Sequence, residues 1–268
     1  MQSEAARSRT TRCDFHAAVP GAWLKAILTY HSIDDSGSVV SVDEGTFRRH
    51  AEFLSRAGLR SVGLPDLVAM PDDADAVAIT FDDAFANFAS AAWPVLRELG
   101  HQVTVFVPTA HVGRTNGWET GTGRVPVLPL LGWADLGRLT EEGVTIGAHS
   151  ETHPDLTTLE PDALRAEVAR PVEQIHRETG VVPHTFAYPY GAVNKTTAAE
   201  VGKHYRLAVT TELRWLVGAD DVHWLPRLDA YYLRRPGALE RFGSPRFRRA
   251  LTWRNRLRRA RRRLTGGM

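Results

Sequence analysis

The sequence contains a single cysteine, Cys13, among its 268 residues, which excludes an internal disulfide. The first 20 residues have no apolar segment typical of a secretory signal, and no run approaches the roughly 20 apolar residues of a membrane span. Neither a Gly-rich phosphate loop nor a nucleophile elbow is present. We therefore expect an intracellular protein that is soluble or peripheral to a membrane, without nucleotide-dependent or serine-based chemistry.

The C-terminal segment has no acidic residues. From Arg241 onward the chain carries 11 arginines, although the formal net charge of the whole chain is only +2. Apolar residues recur among these arginines at near-helical spacing, namely Phe247, Ala250, Leu251, Leu257, Ala260 and Leu264. The pattern predicts a basic amphipathic helix over residues 244–264 that binds an anionic membrane; the alternative is a solvated basic tail. Nucleic acid is a weaker candidate, because aromatic side chains that could stack on bases are few, chiefly Trp253.

Short segments rich in β-branched residues alternate with amphipathic helical patterns along the rest of the chain. The predicted strands are 26–33, 76–83, 102–108, 144–150, 184–190, 206–211 and 224–230. This alternation predicts an α/β fold in which helices cover a parallel sheet. Seven strands favour a closed barrel, with an open doubly wound sheet as the alternative. We expect an N-terminal extension (1–22), a catalytic domain (23–240) and a basic tail (241–268).

Polar residues that can bind a metal or transfer a proton recur near the carboxyl ends of the predicted strands. They are His31, Asp82, Asp83, His149, Tyr190 and Asp229. In either α/β architecture the carboxyl ends of parallel strands share one rim, where ligands and catalytic groups gather. The sequence therefore predicts one site that unites these side chains.

Two pairs within this set suggest a metal. His149 and His153 are four residues apart, so both imidazoles can share one cation if the segment winds into a helical turn. Asp82 and Asp83 would repel each other at the end of a buried strand, unless Asp83 caps a helix beginning at Ala84 or a metal neutralises the pair. One carboxylate and two imidazoles form a catalytic type of metal site, which leaves the other carboxylate to accept a proton from water.

Three stretches carry a family resemblance. "TFDDAFANF", "HSETHPDL" and "FAYPYG" resemble, in order and spacing, the first three motifs of the polysaccharide deacetylases, the family 4 carbohydrate esterases with a NodB-homology domain. The likeness runs from about Ile27 to Asp229 and implies a distorted barrel of seven or eight βα units. By this resemblance Asp82 is the general base, and Asp83, His149 and His153 hold one divalent ion. Zinc is expected, although cobalt, nickel and iron suit the same donors.

Further roles follow from the third motif and a nearby loop. The resemblance implies that the backbone N–H of Tyr190 helps to form an oxyanion hole. We expect Tyr188, Pro189 and Trp118 to contact the substrate, Trp118 because the long loop that contains it could border the site and stack on sugar rings.

The sequence departs from the family pattern in two places. Ala187 stands where an arginine usually holds the catalytic base, and the late motif that supplies a catalytic histidine is not recognisable. "LTYHSI" near the start instead resembles the branch that includes poly-N-acetylglucosamine deacetylases, in which a histidine on the first strand is the acid. This resemblance implies that His31 is the general acid, and we expect Arg227 to replace the missing arginine beside Asp82.

The function expected from this resemblance is metal-dependent removal of N-acetyl groups from an N-acetylated sugar, whether a polysaccharide, an oligosaccharide or a lipid-linked glycan precursor. One alternative is a deformylase or deacetylase of a small cytoplasmic amide. Another is a carbohydrate-binding module with a degenerate, non-catalytic site. The expected location is the cytoplasm, peripheral to the inner face of the membrane.

Overall fold

The computed structural model describes residues 24–119, 125–235 and 237–264, so the predicted extension 1–22 lies outside the described residues. The strands are β1 Lys25–Tyr30, β2 Ser32–Ile33, β3 Ser41–Val42, β4 Arg60–Ser61, β5 Ala76–Phe81, β6 Val103–Val107, β7 Thr145–Ala148, β8 Thr185–Ala187, β9 Leu207–Val209 and β10 Leu228–Asp229. The α-helices are α1 Glu44–Arg56, α2 Leu64–Ala69, α3 Trp93–Glu98, α4 Trp133–Glu141, α5 Pro161–Thr179, α6 Lys195–Val201 and α7 Pro245–Leu264.

The main sheet is parallel and curled, with strand order β10-β1-β5-β6-β7-β8-β9 and with β4 added beside β5. Leu225, three residues before β10, forms a parallel bridge to Val209 of β9, so the two ends of the sheet meet there. The seven strands of this path correspond to the seven predicted from the sequence. The prediction of a distorted βα barrel is confirmed.

The strands β1, β5 and β6 are buried on both faces, which explains why their sequences are nearly continuous apolar runs. Residues such as Leu28, Ile79 and Val105 belong to the large core cluster, to which the helices other than α2 also contribute apolar side chains. Their sequence neighbours Ile27, Ala78 and Phe106 belong to a second cluster, to which α2 contributes as well. Two packed faces fix the strands, and hence fix where the segments after each strand begin.

The helix predicted to begin at Ala84 begins later. A π-helical turn occupies Phe88–Ala92 and α3 follows from Trp93. Asp83 and Ala84 have φ values of 69° and 55°, in the left-handed region, so Asp83 does not occupy a helix N-cap. The capping explanation of the Asp82-Asp83 pair is therefore wrong, and residues 82–86 form a loop at the end of β5.

The basic C-terminal helix is present as α7, but its apolar face is not free. Phe247 is 8% and Leu251 is 2% exposed, because both pack on the body of the protein. This corrects the expectation that they face a membrane. Trp253 and Leu257, one turn apart, are exposed by 62% and 43%. Within the described residues, no helix has both the length and the apolar character needed to cross a bilayer.

Candidate metal and catalytic site

Three side chains converge at the carboxyl rim of the sheet. Oδ1 of Asp83, after β5, lies 3.4 Å from Nε2 of His149 and 3.3 Å from Nε2 of His153, and the two Nε2 atoms are 3.2 Å apart. All three residues are buried. Four ligands about 2.0–2.1 Å from a tetrahedral metal are separated by about 3.3–3.4 Å, so the spacing fits such an ion. Oδ1 of Asp83 is buried and, among the described residues, makes no hydrogen bond of normal geometry, which also suits a metal ligand.

The backbone that presents these donors is strained. The described non-glycine residues with positive φ are Asp83, Ala84, Ser150, His153 and Tyr190, and all of them belong to the segments of this site. Each such conformation costs on the order of 1 kcal/mol or more, and strain of this kind concentrates at functional sites. His149 and His153 therefore meet through a bent loop and not through the helical turn that their spacing predicted.

Residues that the sequence patterns did not reveal hold the donor loop. Nδ1 of His149 lies 2.7 Å from the carbonyl of Ala187, which leaves Nε2 to face the other donors. The carboxylate of Glu167 accepts hydrogen bonds from the backbone N–H groups of Glu151 and Thr152, at 3.0 and 2.8 Å. Glu167 lies within α5, and Ala187 contributes only its backbone, so no motif marks either contact.

Arg227 lies against Asp82. Its Nη1 and Nη2 donate to Oδ1 and Oδ2 of Asp82 at 2.7 and 2.6 Å, and its Nε donates to the carbonyl of Thr210 at 2.9 Å. Arg227 is 1% and Asp82 is 2% exposed. A bidentate pair with no access to water holds the carboxylate in one orientation. Arg227 thus lies beside Asp82, as expected for a replacement of the missing arginine.

Asp82 and Asp83 are neighbours in the chain, and different residues offset the cost of burying each carboxylate. Burial alone would raise the pKa of Asp82, but the positive charge of Arg227 outweighs it and the pKa lies below its ordinary value. Burial likewise opposes ionisation of Asp83, yet the contacts with His149 and His153 hold its pKa well below the ordinary value. In return, the pKa of His149 is raised despite burial, mainly by Asp83. Both aspartates therefore stay ionised although they are neighbours in the chain.

His31, which directly follows β1, lies beside the carboxylate of Asp82. Its Nε2 is 3.8 Å from Oδ2 of Asp82, and its side chain is 20% exposed. The distance is too long for a hydrogen bond but places the imidazole within reach of a group bound at the rim.

The third motif divides into buried and exposed parts. Tyr188 is fully buried and its hydroxyl donates to the carbonyl of His223 at 3.0 Å, and Pro189 is buried as well. The expectation that these two side chains contact substrate is therefore wrong. Tyr190 is 45% exposed, and its ring lies edge-on to His153 at 4.8 Å between centroids. Trp118 also reaches this site, with its ring stacked on His153 at 4.5 Å.

Comparisons with known proteins agree with this geometry. The family model for polysaccharide deacetylase matches residues 69–207, slightly more than half of the chain. YxkH of Bacillus subtilis is 27% identical over 209 residues, which are 71% of this chain and 68% of YxkH. Peptidoglycan-N-acetylglucosamine deacetylase PgdA of Listeria monocytogenes is 28% identical over 145 residues, 52% of this chain but only 28% of PgdA.

Among solved structures, IcaB from Ammonifex degensii superposes with a TM-score of 0.65 at 21% sequence identity. The match covers 82% of this chain and 95% of IcaB, and at this identity it shows a common fold. The matched family model and the shared barrel lead to the same assignment: the chain belongs to the polysaccharide deacetylase family.

Proposed function

We propose that this chain is a metal-dependent hydrolase that removes N-acetyl groups from an N-acetylated glycan, with release of acetate and a free amine. The observation that carries the proposal is the convergence of Asp83, His149 and His153 next to the Asp82–Arg227 pair. The name of PgdA describes this chemistry on N-acetylglucosamine in peptidoglycan, which supports an N-acetylated sugar as the substrate class.

The donor set defines the cofactor in chemical terms. One carboxylate and two imidazoles are suited to zinc, our first choice, and also to cobalt, nickel or iron. When bound, such an ion would supply Lewis acidity at the amide carbonyl and make water more acidic. The buried Asp83 oxygen without a hydrogen bond of normal geometry, together with the spacing of the three donor atoms, supports this assignment.

The remaining residues supply proton transfers. Asp82 is ionised and held by Arg227, so it can accept a proton from the water whose oxygen forms a bond to the carbonyl carbon. His31 would deliver a proton to the amide nitrogen as the C–N bond breaks, because an amine leaves poorly without one. The backbone N–H of Tyr190, at the exposed end of the third motif, would donate to the oxyanion.

The substrate class can be tested by acyl release. Purified protein is incubated with N-acetyl and N-formyl sugars, both free and lipid-linked, and acetate and formate are measured, with Asp83→Ala as the matched inactive control. Acetate from N-acetyl sugars with wild type alone supports the proposal. Formate release, or release from non-sugar amides only, would favour the small-amide alternative, and no release from a metal-loaded protein would indicate a binding module.

We also propose that the protein works at the inner face of an anionic membrane. On α7 the exposed residues Trp253 and Leu257 lie beside the exposed Arg249 and Arg256, while the opposite side of the helix is anchored on the body. An aromatic and an aliphatic side chain flanked by arginines suit the boundary between headgroups and acyl chains. Each arginine near anionic lipid contributes on the order of 1 kcal/mol, and salt weakens this contribution.

The membrane proposal is tested without deleting α7, because removal of Phe247 and Leu251 would open the core. The double variant Trp253→Ser/Arg256→Glu is compared with wild type by sedimentation with vesicles of phosphatidylcholine and phosphatidylglycerol. We expect wild type to bind at low salt and the variant to remain in the supernatant with unchanged activity on a soluble substrate. Equal sedimentation of both proteins would refute the proposed surface.

A further inference from the structure

The two histidine donors are held in different ways. Nδ1 of His149 is fixed by the carbonyl of Ala187 at 2.7 Å. Nδ1 of His153 is buried and has no hydrogen-bond partner within the part of the chain that the structure describes. A histidine that binds a metal ordinarily uses its second nitrogen to fix the ring orientation. The ring of His153 must therefore be oriented by another kind of contact.

Three aromatic rings surround His153. His149 and Tyr190 meet it edge-on, both with ring planes at 74° and with centroids 4.7 and 4.8 Å away. Trp118 differs from these two, because its ring lies at 27° to the imidazole with centroids 4.5 Å apart. A near-parallel indole covers the face of the imidazole and restricts rotation of the ring about the Cβ–Cγ bond, which edge contacts restrict less.

The indole is itself held in place. The buried side chain of Asn116 donates to the carbonyl of Pro126 at 3.0 Å and accepts from the N–H of Leu128 at 2.7 Å, which fixes the backbone two residues before Trp118. The ring of His111 packs against Trp118 at 4.5 Å. A loop anchored in this way can present one rigid face to His153.

We propose that Trp118 is a positioning residue that fixes the metal donor His153 by stacking, in place of the hydrogen bond that fixes His149. This inference rests on the proposed function, since it concerns the metal donors of the same site. It gives Trp118 a role different from the sugar-stacking platform expected from the sequence, because the indole acts on the substrate only through the donor set.

The test compares Trp118→Leu, which keeps an apolar side chain but has no aromatic face, with Trp118→Phe, which keeps a ring that can stack. Trp224→Leu is the matched control, because Trp224 is half-buried like Trp118 but is not one of the rings that contact His153. Each protein is first checked by thermal melting. Zinc affinity is then measured by competition with a chromogenic chelator, and kcat and KM are measured at saturating zinc.

We expect Trp118→Leu to weaken zinc binding by about 10- to 100-fold, the usual effect of losing a contact that orients a metal ligand, and Trp118→Phe to restore most of it. KM at saturating zinc should stay near wild type. Unchanged zinc affinity in a folded Trp118→Leu protein would overturn the inference, and a raised KM with unchanged zinc affinity would identify a substrate platform instead. Wild type without zinc affinity would refute the proposed function as well, whereas zinc binding without acyl release would refute only the proposed activity.

Discussion

The pair formed by Asp82 and Arg227 allows a quantitative prediction. Replacing Arg227 with methionine keeps much of the side-chain volume but leaves Asp82 buried without its positive partner. Because Arg227 is 1% and Asp82 2% exposed, water cannot take over the lost hydrogen bonds. Breaking one side of a buried ion pair costs about 3–5 kcal/mol, so we expect the free energy of unfolding to fall by that amount. The melting temperature should fall by roughly 10 °C.

The same substitution should impair the reaction. Asp82 loses the two contacts that orient its carboxylate, and misplacing a catalytic group by about 1 Å commonly costs on the order of a hundredfold in rate. Urea unfolding of the metal-free protein gives the stability change, and acetate release gives the rate. The double variant Asp82→Asn/Arg227→Met should be more stable than the sum of the single effects predicts, since neither charge is then buried alone.

Arg214→Met is the matched control for losing an arginine. Arg214 also pairs with an aspartate, Asp220, at 2.6 Å, but its side chain is 33% exposed. A partly exposed pair is worth about 1 kcal/mol or less, so this control should lose little stability and no activity. The reasoning fails if Arg227→Met is no more harmful than Arg214→Met, or if the double variant shows no coupling between the two positions.

Four further variants test separate parts of the account. Asp82→Asn should retain metal but lose most of kcat; a rate near wild type would mean that the roles of the two aspartates must be exchanged. His31→Ala should keep metal and slow amide cleavage about a hundredfold, with a smaller loss on an activated ester; equal losses would indicate a structural histidine. Burial lowers the pKa of His50 to about 4. The unfolded chain therefore binds the proton more readily, and stability that is complete above about pH 6.5 should decline by roughly 3 kcal/mol as the pH falls towards 4. His50→Gln should flatten this decline in urea unfolding at several pH values, and an unchanged slope would contradict the assignment. Gly191→Ala should cost about 2 kcal/mol or more, because Gly191 has a φ of 64° and a Cβ would clash with Thr211; wild-type stability would exclude this clash.

The barrel could be predicted because its strands have a strong sequence signal. Segments such as β1 and β5 are buried along their whole length, so they read as uninterrupted apolar runs, and the polar residues that end them stand out. His31, Asp83 and His149 were recognisable for this reason, since the position after a buried strand in a parallel sheet already implies a common rim.

The local geometry of the site could not be predicted, because it contradicts local preference. Asp83, Ala84 and His153 adopt left-handed conformations, which residues other than glycine adopt uncommonly. The predicted helix start after β5 and the predicted helical turn between His149 and His153 were therefore wrong. Contacts made across the barrel, such as Glu167 with the donor loop, depend on the tertiary fold and carry no local signal.

Amphipathic and aromatic patterns were misread for a related reason. The apolar stripe of α7 indicated a helix but not the surface that covers it, and the body of this protein covers Phe247 and Leu251. Tyr188 lies in a motif adjacent to the site, yet its side chain points into the core. Such patterns predict a helix or a residue's proximity to the site. The tertiary packing determines which surface or side chain each residue contacts.

The central claim is that Asp83, His149 and His153 hold one catalytic divalent ion. The most direct measurement is metal content per chain in purified wild type and in the His153→Ala variant after loading with zinc and removal of excess ion. We predict about one equivalent in wild type and far less in the variant, because losing one of three protein donors leaves too few for a catalytic site. Equal zinc content in the two proteins, or a wild type that retains none, would contradict the claim.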